Sequence, residues 1–168
     1  LDPFVLDIGN DTILCSDTPT TILDAGDSAI SYLWSTGDET QTINASGGEY
    51  SIVVISDENC EYEDEIEIGI QEFNLEIYSS SVEECEPAEI IFEDMSNVSN
   101  GEINYWNWDF EITSSSNANT TVNYTNSGVF DINLIVGTQE ECYDTLILSD
   151  YIQINPNPIA NFTYSIEF

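Results

Sequence analysis

Trp106-Asn107-Trp108-Asp109-Phe110, followed by Gly128-Val129-Phe130-Asp131-Ile132 and then Cys142, is the stretch on which the fold turns. Cys85 stands before it, and the same order of landmarks has already run once in the first half of the chain. Each half reads Cys, a Trp-bearing strand, a polar loop, a Gly-x-aromatic strand, a second Cys and a closing strand. The first half has Cys15, Trp34, Gly48-Glu49-Tyr50, Cys60 and residues 65–70. The second has Cys85, Trp106 and Trp108, Gly128-Val129-Phe130, Cys142 and residues 151–154. A Trp buried beside an inter-sheet disulfide is how a small sandwich builds its core.

The residues between these landmarks alternate with period two, the side-chain period of a strand. Glu65-Ile66-Glu67-Ile68-Gly69-Ile70 puts isoleucines on one face and acids on the other. Tyr50, Ile52 and Val54 alternate with Ser51, Val53 and Ile55, which suits a strand buried on both faces. Phe130, Ile132, Leu134 and Val136 are in phase. Trp106 and Trp108, two apart, share one strand face. One or both are expected in the core, with Tyr105 and Asn107 facing outward; a sugar-stacking platform is the alternative use of these rings. No 3.6-residue apolar period stands out. Stretches rich in Thr, Ser, Asn and Gly at 35–40, 45–48, 96–101 and 113–120 read as turns or loops.

The expected fold is therefore all-β, two tandem sandwich repeats covering 1–71 and 72–155. Asn155-Pro156-Asn157-Pro158 has the composition of a stiff extended linker. Ile159-Ala160-Asn161-Phe162-Thr163-Tyr164 then resembles Phe73-Asn74-Leu75-Glu76-Ile77-Tyr78, so 156–168 is expected to open a further repeat. The chain starts at Leu1 without Met or a basic leader, and no apolar run reaches membrane-spanning length. It reads as a piece of a longer secreted protein with no direct membrane insertion.

Composition narrows the function. The 168 residues include no Lys, no Arg and no His against 33 Asp plus Glu, for a net charge of −33. Hydrophobic residues at 41% and aromatics at 11% are enough to build cores. No side-chain salt bridge can form, so each carboxylate is hydrated, bonded to a backbone N–H or bound to a cation. Nucleic acid is excluded as an electrostatic partner. Self-repulsion opposes compaction at low ionic strength. Without His or Lys there is no imidazole base and no Schiff-base amine. A carboxylate pair of the glycosidase type remains, but among this many acids some pair always falls at a suitable distance, and no enzyme is expected.

Four cysteines with no C-x-x-C pair and no His make zinc a poor reading. Sequence alone allows three connectivities. One early and one late Cys per half suits a bridge within each repeat, Cys15–Cys60 and Cys85–Cys142, and an oxidising compartment.

At the stretch quoted first, W-x-W-D-F followed by G-x-F-x-I and Cys142-Tyr143-Asp144-Thr145 resembles a PKD (polycystic kidney disease) domain. Glu111-Ile112-Thr113 replaces that family's G-D-G turn by a longer loop. The first half, through Leu14-Cys15, Leu23-Asp24-Ala25-Gly26, Tyr32-Leu33-Trp34-Ser35-Thr36-Gly37 and Gly48-Glu49-Tyr50, resembles the Ig-like repeats of type IX-secreted, gliding-motility surface proteins of Bacteroidota.

The resemblance implies an Ig-like unit followed by a PKD-like unit in a secreted cell-surface adhesin, acting as stalk and adhesive segment. Its partners would be neighbouring repeats and surface polysaccharide or other glycan. An accessory module of a secreted polysaccharide- or protein-degrading enzyme is the alternative, and a carbohydrate-binding module a third. It also implies O-glycosylation candidates at Thr12, Ser28 and Thr145, each in a D-S/T-aliphatic or D-S/T-Ala context. No cofactor is required. Acid clusters at Asp24 with Asp27, Asp57-Glu58-Asn59, Glu83-Glu84 with Glu86, and Glu140-Glu141 supply hard oxygen ligands for Ca²⁺, although no D-x-D-x-D-G loop organises them.

Overall fold

A computed structural model describes residues 4–162. Every element in that range is a strand, and the chain divides into two compact units. Among the described residues, unit 1 holds 4–73 together with Val98–Glu102 and Thr138–Cys142; unit 2 holds Asn74–Asn97, Ile103–Gly137 and 143–162.

Unit 1 contains β1 (Thr12–Cys15), β2 (Thr21–Asp24), β3 (Ala29–Trp34), β4 (Thr42–Ala45), β5 (Gly48–Ser56) and β6 (Glu61–Gln71). One sheet has the order β1-β6-β5-β3 and faces the pair β2-β4. The alternation written in the sequence builds the core between them. Ile52 and Val54 of β5 and Ile66 and Ile68 of β6 point inward with Leu23, Ile43, Ala45 and Trp34, while Glu63, Glu65 and Glu67 face water. Val53 and Ile55 are half-buried on the outer face, so β5 is covered fully on one side only. Trp34 is 2% exposed, and its indole N–H donates to the Thr40 carbonyl at 2.8 Å, satisfying the ring's one polar atom.

The second half adds β7 (Phe73–Asn74), β8 (Ile77–Ser79), β9 (Glu83–Cys85), β10 (Ala88–Asp94), β11 (Asn97–Val98), β12 (Ile103–Asp109), β13 (Ser114–Ser115), β14 (Asn119–Tyr124), β15 (Gly128–Thr138) and β16 (Tyr143–Asn155). A three-stranded sheet β14-β10-β8 packs on a five-stranded sheet β13-β12-β15-β16-β9, and β7 pairs with β11. Trp108 is fully buried beside Phe92 and Phe110, stacked on Phe110 with ring centroids 5.5 Å apart. Its N–H donates to the Asn117 carbonyl at 2.9 Å. Trp106 is half-buried with its N–H on Asp94, and Tyr105 and Asn107 are exposed. Trp108 therefore serves the core and none of the three indoles forms an open platform.

The strand orders correspond element by element. In both units a short strand (β1, β9) pairs parallel with the last strand (β6, β16), which pairs antiparallel with the strand before it (β5, β15). The Trp-bearing strands β3 and β12 lie next in the same sheets, and β2-β4 matches β10-β14. This is an immunoglobulin-like arrangement in tandem.

Three expectations change. The closing strand of the second half runs over all of 143–155 rather than 151–154, because Leu146, Ile147 and Leu148 continue the ladder to Ile132, Asn133 and Leu134. The stretch 113–120 is not all loop: Ser114–Ser115 and the start of β14 pair within it. Residues 156–162 form no strand, and 163–168, the rest of the expected opening strand, lie outside the described residues.

The disulfide pairing also changes. Cys15 bonds Cys142, with Cα atoms 5.3 Å apart, while Cys60 and Cys85 are free and exposed. Strand register gives the reason. Cys15 lies opposite Gln71 at the far end of β6, whereas Cys60 precedes Glu61 at its start. At roughly 3.3 Å per residue, that strand holds the two cysteines on the order of 35 Å apart, far beyond the ~7 Å Cα limit for a bridge. Cys85 opposite Asn155 and Cys142 before Tyr143 are separated in the same way by β16.

Candidate functional site

The most elaborated polar site lies in unit 1 around Gln71, the residue paired in register with the bridged Cys15. Gln71, the last residue of β6, is fully buried. Its amide N–H₂ donates to the Asn100 carbonyl at 2.6 Å and to Glu140 Oε2 at 3.1 Å, and its Oε1 accepts from the Thr138 hydroxyl at 2.7 Å. The neighbouring Ile70 carbonyl accepts from Ser99 Oγ at 3.0 Å and Asn100 Nδ2 at 2.8 Å. A buried amide with both ends satisfied fixes the segments that hold it. Asn100 and Gly101 reach it through left-handed backbone, and a Cβ on Gly101 would stand 2.7 Å from Gln71 Nε2. Sequence reading missed this site: Gln71 looks like the end of an amphipathic strand, and its partners lie 29, 67 and 69 residues away.

Several carboxylates are met by backbone N–H groups and side-chain amides. Asp24 Oδ1 accepts from Gly26 N at 2.8 Å and from Gln41 Nε2 at 2.9 Å. These bonds, Gln41 first, lower its pKa below the usual aspartate value. Glu140 is engaged with Gln71, and Glu83 accepts from Asn155 Nδ2 at 2.8 Å. Among the described residues, no group of three acidic or cysteine side chains is placed to hold a metal ion, so the acid clusters read from sequence do not converge on a Ca²⁺ site. An acidic open groove lies on the outer face of the unit 1 sheet. Asp11, Glu49, Glu65 and Glu67 line it with Ser35 and Tyr50, and Glu49 stands directly opposite Glu67. Like charges in direct cross-strand register repel, and solution cations relieve the repulsion.

Thr12, Ser28 and Thr145 are all exposed. Thr145 lies on the outer face of β16 between Tyr143 and Ile147, and Tyr143 meets Tyr105 edge to face with centroids 5.5 Å apart. Tyr124 is an interior exception: its buried hydroxyl has no hydrogen-bond partner, and burial, with the Glu111 charge, pushes its pKa up to about 12. Among the described residues no helix is long and apolar enough to cross a membrane.

No family model matches the chain, and no curated protein matches it. Among solved structures it is similar to carbohydrate-binding modules of the β-sandwich superfamily, at 19% identity and TM-score 0.46, over 50% of this chain and 34% of that one. The matched part is thus about a third of that structure's length. The PKD1 domain of Vibrio anguillarum Epp matches at 19% identity and TM-score 0.40, over 51% of this chain and 95% of its own. The PKD1 domain of the Vibrio cholerae metalloprotease PrtV matches at 24% identity and TM-score 0.37, over 49% and 94%. All three scores lie under 0.5, so the Ig-like character of this chain stands on its own strand order.

Proposed function

We propose that this chain is a repeat segment of a large secreted cell-surface adhesin, serving as stalk and adhesive spacer in a type IX-secreted, gliding-motility protein of Bacteroidota. The observation that carries the reading is the recurrence of one strand order, with one set of cysteine positions, in two successive sandwiches. Their outer faces present carboxylates and hydroxyls to water among scattered apolar side chains such as Ile30 and Ile147. Such units act as beads: mutual repulsion among 33 acids and no cations keeps an array extended and unaggregated. The absence of Lys and Arg also removes every site for trypsin-like proteases. A disulfide supports export through an oxidising compartment.

Antibodies raised against the chain test this on intact cells of the source organism. Surface labelling without lysis, and loss of attachment to glass or agar when the gene is deleted, are the expected results. Labelling only after lysis overturns the reading. A glycan-binding reading has one feature of its own, the exposed Tyr105–Tyr143 pair, and predicts that Tyr143→Ala abolishes retention on a glycan array.

A further inference from the structure

The bridge joins a cysteine of the first sequence repeat to one of the second, and the four cysteines occupy only two kinds of position. Cys15 and Cys85 each end the short strand that runs parallel to the end of the last strand, opposite Gln71 and Asn155. The residue after each donates its N–H to that same amide residue's carbonyl: Ser16 N to Gln71 O at 3.2 Å, and Glu86 N to Asn155 O at 3.0 Å. Cys60 and Cys142 each close the turn before the last strand. Ser56 N donates to Cys60 O at 2.9 Å and Asn59 N to Ser56 O at 2.9 Å; Thr138 N donates to Cys142 O at 3.0 Å and Glu141 N to Thr138 O at 3.2 Å. Asn59 and Glu141, the residues before these cysteines, have φ of 62° and 60°. The two turns are one structure used twice.

The bridge therefore has a direction: the strand-end cysteine of one repeat bonds the turn cysteine of the next. We propose that Cys60 and Cys85 are the two open halves of the same link. Cys85 bonds the turn cysteine of a following repeat, and Cys60 bonds the strand-end cysteine of a preceding one. The inference rests on the reading of this chain as part of a longer array. Polar side chains beside the free cysteines support it independently. Ser56, Gln71 and Thr138 are the buried polar residues among those described. Thr138 uses its hydroxyl on the Gln71 amide. Ser56, in the equivalent turn, is 2% exposed; its hydroxyl accepts from Cys60 N at 3.2 Å and keeps its proton for a further acceptor. Asn155 stands at the position equivalent to Gln71, its amide bonded here to Glu83 and Gln153 of its own repeat. Phe4-Val5-Leu6-Asp7-Ile8 also repeats the sequence pattern of Phe73-Asn74-Leu75-Glu76-Ile77, the segment that follows Gln71, so Cys60's repeat opens with the pattern that opens Cys85's. Closing each link takes two thiols to one disulfide. Two protons are released, and two electrons pass to a disulfide donor such as oxidised glutathione, which leaves as two thiols.

The 168-residue chain itself is the reference. Folded and mapped with glutamyl endopeptidase, it should show the Cys15–Cys142 peptide and two titratable thiols. A Cys60–Cys85 bridge within one molecule overturns the proposal. A concatemer in which Asn155 of one copy is followed by Pro3 of the next then recreates a junction of the Gln71-Glu72-Phe73 type. With Cys60→Ser in the first copy and Cys85→Ser in the second, oxidised glutathione at high dilution should consume both remaining thiols. With the substitutions exchanged, both thiols should persist. The Cys15–Cys142 peptide from each copy reports that both variants fold. Equal thiol counts in the two concatemers, whether both zero or both two, refute a directional link. The result is independent of adhesion, so the surface role and the link can fail separately.

Discussion

Removing Cys15 should cost far more than removing Cys60, and the difference follows from which residues the bridge encloses. Cys15–Cys142 spans 127 residues. The chain-entropy relation for a loop of that length gives about 16–17 cal/mol/K, or ~5 kcal/mol at 25 °C, as the stabilisation from constraining the unfolded chain. If unit 2 stays folded while unit 1 unfolds, the flexible loop is roughly half as long and the term falls only to ~4 kcal/mol, because it depends on the logarithm of length. Cys15→Ala and Cys142→Ala should each lose about 4–5 kcal/mol in urea unfolding followed by tryptophan fluorescence, and the double variant should lose no more than either alone. Cys60→Ala and Cys85→Ala, at exposed and unbonded positions, should each stay within ~0.5 kcal/mol of the parent. A bridge within each repeat makes the opposite forecast: closing a loop of about 45 residues, it would cost Cys60→Ala ~4 kcal/mol. Equal destabilisation by Cys15→Ala and Cys60→Ala refutes the register argument.

Tyr124→Phe should be neutral to stabilising by about 1 kcal/mol at pH 7, since it deletes a buried hydroxyl that has no partner. Its pKa is raised from 10.0 to about 12 in the fold, so the parent holds a proton that the unfolded chain releases, and it loses stability as pH climbs from 10 through 12. In unfolding midpoints measured across that window, the variant should lack this loss; an equal loss in both refutes the assignment. Gly101→Ala should destabilise unit 1 by about 1–3 kcal/mol, because φ is +132° and the new Cβ meets the Gln71 amide at 2.7 Å. Normal stability in urea would show that the Gln71 site yields. Trp34→Phe should cost about 1–3 kcal/mol, leaving the Thr40 carbonyl unpaired in addition to the packing change. Melting temperature should rise by several degrees between ~0.01 M and ~0.5 M NaCl as the Debye length contracts from ~30 Å; a salt-independent Tm contradicts self-repulsion as a destabilising force.

Much of the fold is legible in particular residues. Alternation at Glu65-Ile66-Glu67-Ile68 predicts the facing of β6 because side-chain direction in a strand is local, set by a period of two. Trp108 marks its core because a large ring between Asn107 and Asp109 on an alternating strand has one apolar side on which to go, and Trp34 marks the other by its equivalent place in the repeat. Elements whose pairing compensates for weak propensity were harder to see. Ser114–Ser115 and Asn119-Thr120 have loop composition, yet they sit in ladders with Trp108-Asp109 and Phe92-Glu93. The acid clusters misled in another way: a count of carboxylates says nothing about whether three converge, and Asp24 and Glu140 are taken up by Gln41, Gly26 and Gln71.

By itself the amino-acid order determined the all-β class, the repetition and the Trp cores, all of which depend on composition or on spacings of a few residues. Only the tertiary structure decided the cysteines. Each repeat places its two at opposite ends of its longest strand, and an extended strand of 11 or 13 residues is a rigid spacer that no local rearrangement shortens. Cys15 therefore meets Cys142, brought to it with the segment Thr138–Cys142 that packs in unit 1 around Gln71.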